Sequence, residues 1–174
     1  MKIFLVGFMG SGKSTLGKKL SELMNVSFID LDRKIESREG KSVREIFTER
    51  GEDYFRKTES ETLRQTSRTR DAVIATGGGA PCFNNNMKWM NENGITVYLE
   101  AAAGELYHRL VKERETRPLL ASFGDVALFN FIMSSLAHRE PYYAQAALKL
   151  PLKTATPTNI LSRIKGLKKR PKKK

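Results

Sequence analysis

Short apolar runs alternate along the chain with longer segments whose apolar residues recur every three or four positions. Lys2–Val6 is an apolar run that stops at glycine, the pattern of a buried strand. From Lys13 to Met24, Leu16, Leu20 and Leu23 recur at helical spacing. Val26–Ile29 reads as a second strand, ending in Asp30, and a helix is expected over Arg33–Glu39. Ser42 with Glu45 forms a capping box for a helix through Arg50, which Gly51 can stop. A polar helix follows over Asp53–Ser67, then a third strand, Ala72–Thr76, broken by Gly77-Gly78-Gly79. Asn84–Asn93 suits a short helix with Gly94 as its stop, and Ile95–Leu99 a fourth strand. Leu106 and Leu110 lie on a helix running toward Arg114, and Ala127–Leu136 is another helix. Leu148–Leu152 is a fifth strand, which Pro151 assigns to a sheet edge. Pro157 opens a last helix over Thr158–Leu167. Strands separated by helical crossovers imply an α/β fold with a parallel sheet.

Composition narrows the class. The 174 residues include 31 Lys and Arg against 19 Asp and Glu, a net charge of +12. Half of that excess lies in residues 168–174, Lys-Lys-Arg-Pro-Lys-Lys-Lys. Such a run attracts nucleic acid or an anionic surface, or is simply a solvated terminus. With no interleaved aromatics it specifies little. The expected organisation is therefore one domain over 1–167 and a disordered basic tail over 168–174. A single cysteine, Cys82, gives no intramolecular disulfide framework and reads as a small packed residue. No apolar run approaches the roughly 18 residues of a membrane span. The run after Lys2 stops too early for a secretory signal, so a cytoplasmic protein is expected. His108, His138, the methionines and Trp89 read as structural.

The chemistry begins at Gly7-Phe8-Met9-Gly10-Ser11-Gly12-Lys13-Ser14, which matches G-x-x-x-x-G-K-[ST] between a strand and a helix. The glycines let successive N–H groups converge on one anion, and the helix N-terminus adds its positive end. Gly10, Ser11, Gly12, Lys13, Ser14 and Thr15 are therefore candidate ATP-binding residues. Lys13 can reach the β- and γ-phosphates, and the Ser14 hydroxyl can coordinate Mg²⁺. No Asn-Lys-x-Asp motif for guanine is present, and the third strand ends without an acidic residue. A carboxylate supporting the metal must then come from elsewhere.

Asp30-Leu31-Asp32 supplies one, at the carboxyl end of the second strand, where open α/β sheets bind ligands. One carboxylate can face Mg²⁺ through water and the other an acceptor hydroxyl, or Asp32 can simply cap the helix that follows. Arg56, Arg117 and Arg139 taken singly read as solvated charges, Arg56 as a surface pair with Glu59 and Arg139 beside a Pro141 that interrupts its helix. Together with the Gly77–Gly79 amides, two arginines suit a carboxylate.

The ordered set resembles the shikimate kinases: the phosphate loop, Asp30-x-Asp32, Phe55-Arg56-x-x-Glu59, Thr76-Gly77-Gly78-Gly79, Arg117-Pro118-Leu119-Leu120 and Arg139-x-Pro141-x-Tyr143, over about residues 1–165. The resemblance implies a three-layer P-loop fold like that of the nucleoside-monophosphate kinases. Its five-stranded parallel sheet has order 2-3-1-4-5, with an acceptor-binding helical segment at about 31–62 and a lid at about 112–124. It implies transfer of the ATP γ-phosphate to the 3-hydroxyl of shikimate, in chorismate and aromatic amino-acid biosynthesis. By motif, Lys13, Asp32 and Arg117 resemble the catalytic group and Ser14 and Asp30 the Mg²⁺ ligands. Asp32, Arg56, Gly77, Gly78, Gly79 and Arg139 resemble the shikimate site, and Arg117 the lid arginine on the ATP phosphates. An adenine contact falls near Thr154–Pro157, with Arg109 or Arg114. The implied partners are ATP and shikimate, with no specific nucleic acid, no membrane and a monomeric state. Two alternatives are a kinase of this fold for gluconate or a nucleoside monophosphate, and a nucleotide-dependent nucleic-acid binder using the tail.

Overall fold

The computed structural model describes residues 1–113, 120 and 123–168. Twelve elements follow one another in these residues: β1 (Lys2–Val6), α1 (Lys13–Met24), β2 (Ser27–Asp30), α2 (Leu31–Glu39), α3 (Val43–Gln65), β3 (Ala72–Ala75), α4 (Asn86–Asn93), β4 (Ile95–Glu100), α5 (Ala103–Lys112), α6 (Asp125–Tyr143), β5 (Leu148–Pro151) and α7 (Pro157–Lys168). The strands form one parallel sheet in the expected order, β2-β3-β1-β4-β5. The register pairs buried or half-buried apolar residues, such as Ile3 with Val73 and Ile95, Phe28 with Val73, and Val97 with Leu148.

Alternation along the strands builds the two faces. Phe4, Val6, Ile74 and Tyr98 pack under α2, α3 and α4, with Leu31, Ile35, Phe55 and Met90. Ile3, Leu5, Val73, Val97 and Leu99 pack under α1 and α7, with Leu20, Ile160 and Ile164. A third cluster, Phe8, Leu106, Leu110, Leu128 and Ile132, joins α5 to α6 beside the phosphate loop. This order sets three loops side by side at the carboxyl edge: residues 7–12 after β1, Asp30–Asp32 after β2, and Thr76–Gly79 after β3.

Several local expectations are revised. The second helix starts at Leu31, and its N-cap is Asp30, whose side chain accepts from Arg33 N–H. Asp32 therefore sits in the first turn and is not the cap. The Ser42–Glu45 capping box is present, and Gly51 (φ 80°, ψ 172°) does break the helical backbone as expected, so that α3 is two helical stretches meeting at a kink there. Pro141 does not interrupt α6. It lies in the last turn, where a missing N–H costs one bond and the helix ends anyway. Leu23, Met1 and Met133 are exposed, not core. Residues 114–119, 121–122 and 169–174 lie outside the described residues, and with them Arg114, Arg117, most of the expected lid and nearly all of the basic tail. Among the described residues no helix is long and apolar enough to cross a membrane.

Gly94 does end α4, for a different reason than left-handed capping. Its φ is 178°, ordinary extended backbone, but a Cβ there would lie 2.7 Å from the Lys2 carbonyl oxygen and 2.8 Å from the Phe4 ring. The chain must pass this close to β1 to enter β4. Gly94→Ala is expected to lower stability by about 1–3 kcal/mol through overpacking against backbone. Urea unfolding measures this, and an unchanged midpoint would refute the constraint.

Candidate active site

The phosphate loop has the backbone its sequence demands. Gly7, Gly10 and Gly12 have φ of 143°, 78° and 78°, values open mainly to glycine. Gly12 is the N-cap of α1, so the helix opens directly onto the loop. Lys13 is buried, and its Nζ donates to the carbonyls of Gly7 and Phe8, each at 2.8 Å. Ser14 Oγ donates to Asp30 Oδ2 at 2.6 Å, which brings the two expected metal ligands together.

Four charged side chains converge on the glycine triplet after β3, two at Gly77 and one at each of the other glycines. A Cβ on Gly77 would lie 2.8 Å from Asp32 Oδ1 and 2.7 Å from Glu59 Oε1. One on Gly78 would lie 3.3 Å from Arg139 Nη1 and 3.4 Å from the Met9 nitrogen of the phosphate loop. One on Gly79 would lie 2.7–2.9 Å from the Arg56 guanidinium. The sequence-predicted residues Asp32, Arg56, Arg139 and Gly77–Gly79 are therefore brought together.

Arg56 is held on all sides. Its Nε and Nη2 donate to Glu52 at 3.1 and 3.0 Å, and its Nη1 to Glu59 at 2.8 Å. The guanidinium carbon lies 4.2 Å from the centre of the Phe83 ring, a cation–π contact. The pair with Glu59 is no surface bridge, since the Glu59 side chain is 1% exposed. Arg139 lies over the Phe8 ring at 5.1 Å.

Glu59 and Phe83 are the side chains that sequence reasoning missed here. A signal for Glu59 was present: it lies among inward-facing positions Phe55, Thr58, Ser60, Thr62 and Leu63 of α3. Its Oε1 is buried without a hydrogen-bond partner among the described residues. Burial pushes its carboxyl up to about 7, against the pull of Arg56. Burial also raises Asp32, helped by the neighbouring Asp30 charge and opposed by Lys13.

A cavity of about 690 Å³ runs from this cluster along the phosphate loop. Asp30, Asp32, Thr76 and Gly78 line one end, and Leu152, Ala155, Thr156 and Pro157 the other, with Arg109 alongside. Arg109 reaches the Gly10 carbonyl at 3.4 Å.

A glycine-rich anion loop feeding a helix, on a 2-3-1-4-5 parallel sheet with an acceptor pocket at the next strand end, defines a small-molecule kinase of the P-loop class. The comparisons with known proteins refine this. A family model, shikimate kinase, matches residues 9–171. Shikimate kinase of Parabacteroides distasonis is 48% identical over 147 residues, covering 84% of this chain and 85% of the relative. The crystal structure of shikimate kinase from Bacteroides thetaiotaomicron superposes with a TM-score of 0.88 at 41% identity, covering 98% of this chain and 99% of that one. That of the Acinetobacter baumannii shikimate kinase, in complex with shikimate, gives 0.85 at 31% identity, covering 97% and 95%. The chain belongs to the shikimate kinase family.

The raised Glu59 carboxyl has a consequence for stability. The unfolded chain releases this proton near 4.5 and the folded chain near 7. The protonated form thus contributes stability that is complete below about 4.5 and lost as pH rises through 7. Replacing Glu59 by Gln is expected to remove that loss, so the variant gains on the wild type by up to about 3 kcal/mol between acid and pH 8. Urea unfolding across that range measures it; a difference independent of pH would count against the raised carboxyl.

Proposed function

We propose that the chain transfers the γ-phosphoryl group of ATP to the 3-hydroxyl of shikimate, giving shikimate 3-phosphate and ADP. One observation supports this reading: beside a phosphate loop, three successive glycines bring together two carboxylates, Asp32 and Glu59, and two guanidinium groups, Arg56 and Arg139. That is the complement of a small acid bearing hydroxyls. Arg56 and Arg139 would hold the acceptor carboxylate, for which the planar guanidinium fork is suited. The Gly77–Gly79 backbone would supply N–H groups beside them. Asp32 would accept from the acceptor hydroxyl and orient it toward the phosphate loop. Proton removal need not be its main task, since a loose phosphoryl-transfer transition state demands chiefly position.

On the nucleotide side, residues 10–15 would cradle the phosphates. Lys13 would leave the neutral carbonyls of Gly7 and Phe8 for the charged β- and γ-oxygens, stronger acceptors. Ser14 and Asp30, a hydroxyl and a carboxylate already 2.6 Å apart, are the hard oxygen donors that suit Mg²⁺. When bound, Mg²⁺ neutralises charge on the phosphate oxygens. Of the two candidate adenine-side arginines, Arg109 lines the cavity together with Pro157. Arg117 and the lid at about 112–124 would close over the phosphates and exclude water, a reading that rests on the motif alone. The enzyme is taken as a cytoplasmic monomer that needs no nucleic acid, and residues 168–174 as dispensable for turnover.

The test is an acceptor panel with ATP and Mg²⁺, following ADP. Shikimate is expected to drive turnover, and gluconate and nucleoside monophosphates are not. Absence of shikimate-dependent ADP release would overturn the reading. Lys13→Ala and Asp32→Ala are expected to cut turnover by about a hundredfold or more. Arg139→Ala is expected to raise the KM for shikimate by about tenfold or more, with that for ATP much less affected.

A further inference from the structure

Tyr143 closes the run Arg139-x-Pro141-x-Tyr143 at the end of α6. It is fully buried, yet its hydroxyl donates to the Gly78 carbonyl oxygen at 2.5 Å. Its ring stacks on Tyr98 with centroids 5.0 Å apart, and the Tyr98 hydroxyl donates to Glu140 of the same helix α6 at 2.6 Å. The Tyr143 hydroxyl also faces the Arg139 guanidinium, one turn earlier on that helix.

The Gly78 carbonyl belongs to the Gly78–Gly79 peptide. A planar trans peptide points its C=O and the following N–H in opposite directions. Holding the carbonyl inward on a buried tyrosine therefore sends the Gly79 N–H outward, to the side where Gly78 lines the cavity and Arg56 lies over Gly79. This peptide is unusually free to turn over. Gly79 has φ −85° and ψ −20°, and flipping the unit would carry its φ to positive values that glycine alone tolerates well. A flipped peptide would present a carbonyl oxygen to the acceptor carboxylate and repel it. The same glycines that make room for Arg56 and Arg139 thus leave their own peptide plane undetermined.

We propose that the Tyr143 hydroxyl is the positioning group that fixes the Gly78–Gly79 peptide in its carboxylate-binding orientation, and with it ties that loop to the helix carrying Arg139. Tyr143 touches neither acceptor nor nucleotide and acts through the backbone. The proposal rests on the reading of the site as a carboxylic-acid pocket.

The test compares Tyr143→Phe with Tyr98→Phe in the full chain. Each variant keeps its ring and the stack and loses one buried hydroxyl. Wild-type activity with shikimate checks the underlying reading first, and its absence would be a failure of that reading, not of this one. Given that activity, Tyr143→Phe is expected to raise the KM for shikimate by about tenfold, the scale of a buried acceptor left unsatisfied, while the KM for ATP stays within about twofold. Tyr98→Phe, whose hydroxyl serves Glu140 instead, is expected to leave the KM for shikimate within about twofold. An unchanged KM for shikimate in Tyr143→Phe would overturn the proposal. So would an equal rise for both substrates, or an equal rise for shikimate in Tyr98→Phe, since each would mark general packing. Should Tyr143→Phe fail to fold, the Tyr98→Phe result still decides against the proposal if its shikimate KM rises.

Discussion

Three consecutive glycines, where a Cβ would crowd charged groups, govern this site. At Gly77, Gly78 and Gly79 the would-be Cβ meets, in turn, two carboxylates, a guanidinium with a backbone nitrogen, and a second guanidinium. Those four side chains come from three helices: Asp32 from α2, Arg56 and Glu59 from α3, and Arg139 from α6. Charged groups can approach the main chain this closely only where side chains are missing. The sheet order then matters, because β3 lies between β2 and β1. Its glycine loop faces the Asp30–Asp32 turn on one side and the phosphate loop on the other. Catalytic geometry here follows from strand adjacency and the absence of three methyl-sized groups.

The electrostatics follow from that crowding. Arg56 is shared between Glu52 and Glu59 and stacked on Phe83, so its charge is satisfied before a ligand arrives. Glu59 is the less comfortable partner, with one oxygen lacking a hydrogen bond among the described residues and a carboxyl raised to about 7. Burial dominates over the attraction of Arg56, as expected where desolvation of a carboxylate outweighs one neighbouring cation. The Arg56 corner of the proposed acceptor pocket is accordingly an internally paired charge. Binding there exchanges partners and does not neutralise bare ions.

Much of this was legible in the sequence because it is local. The phosphate loop needs only glycines at fixed spacing before Lys13 and Ser14, and the Ser42–Glu45 capping box needs only four residues. What was not legible depends on register and depth. Asp30 and Asp32 are the same residue type at the same strand end, and either can cap a following helix. Only the pairing of Asp30 with Ala75 at the end of β2 decides that Asp30 caps and meets Ser14 while Asp32 reaches Gly77. The Arg56–Glu59 spacing is that of countless exposed helical pairs. Its burial comes from α3 lying on the sheet, which no three-residue motif encodes. Gly51 was read as a helix stop and does break the helical backbone, whereas Pro141 was read as an interruption and its helix runs on past it to Tyr143. Gly94 was placed correctly as a helix stop, and it is contact with β1 that requires a glycine there.

The division of labour between the two substrates is less complete than separate pockets would suggest. The Cβ position of Gly78 lies 3.4 Å from the Met9 nitrogen and 3.6 Å from the Gly7 carbonyl oxygen, on the loop expected to hold phosphate. That same Gly7 carbonyl accepts from Lys13. On its other side Gly78 meets Arg139, and its own carbonyl is held by Tyr143. Gly78 thus adjoins both the phosphate loop and the side chains proposed to hold the acceptor. Phosphoryl transfer needs the attacking oxygen and the phosphorus within about 3–3.5 Å and in line, and small misplacements are costly. Backbone contact is a stiffer way to set that separation than any pair of long side chains, whose rotamers would blur it.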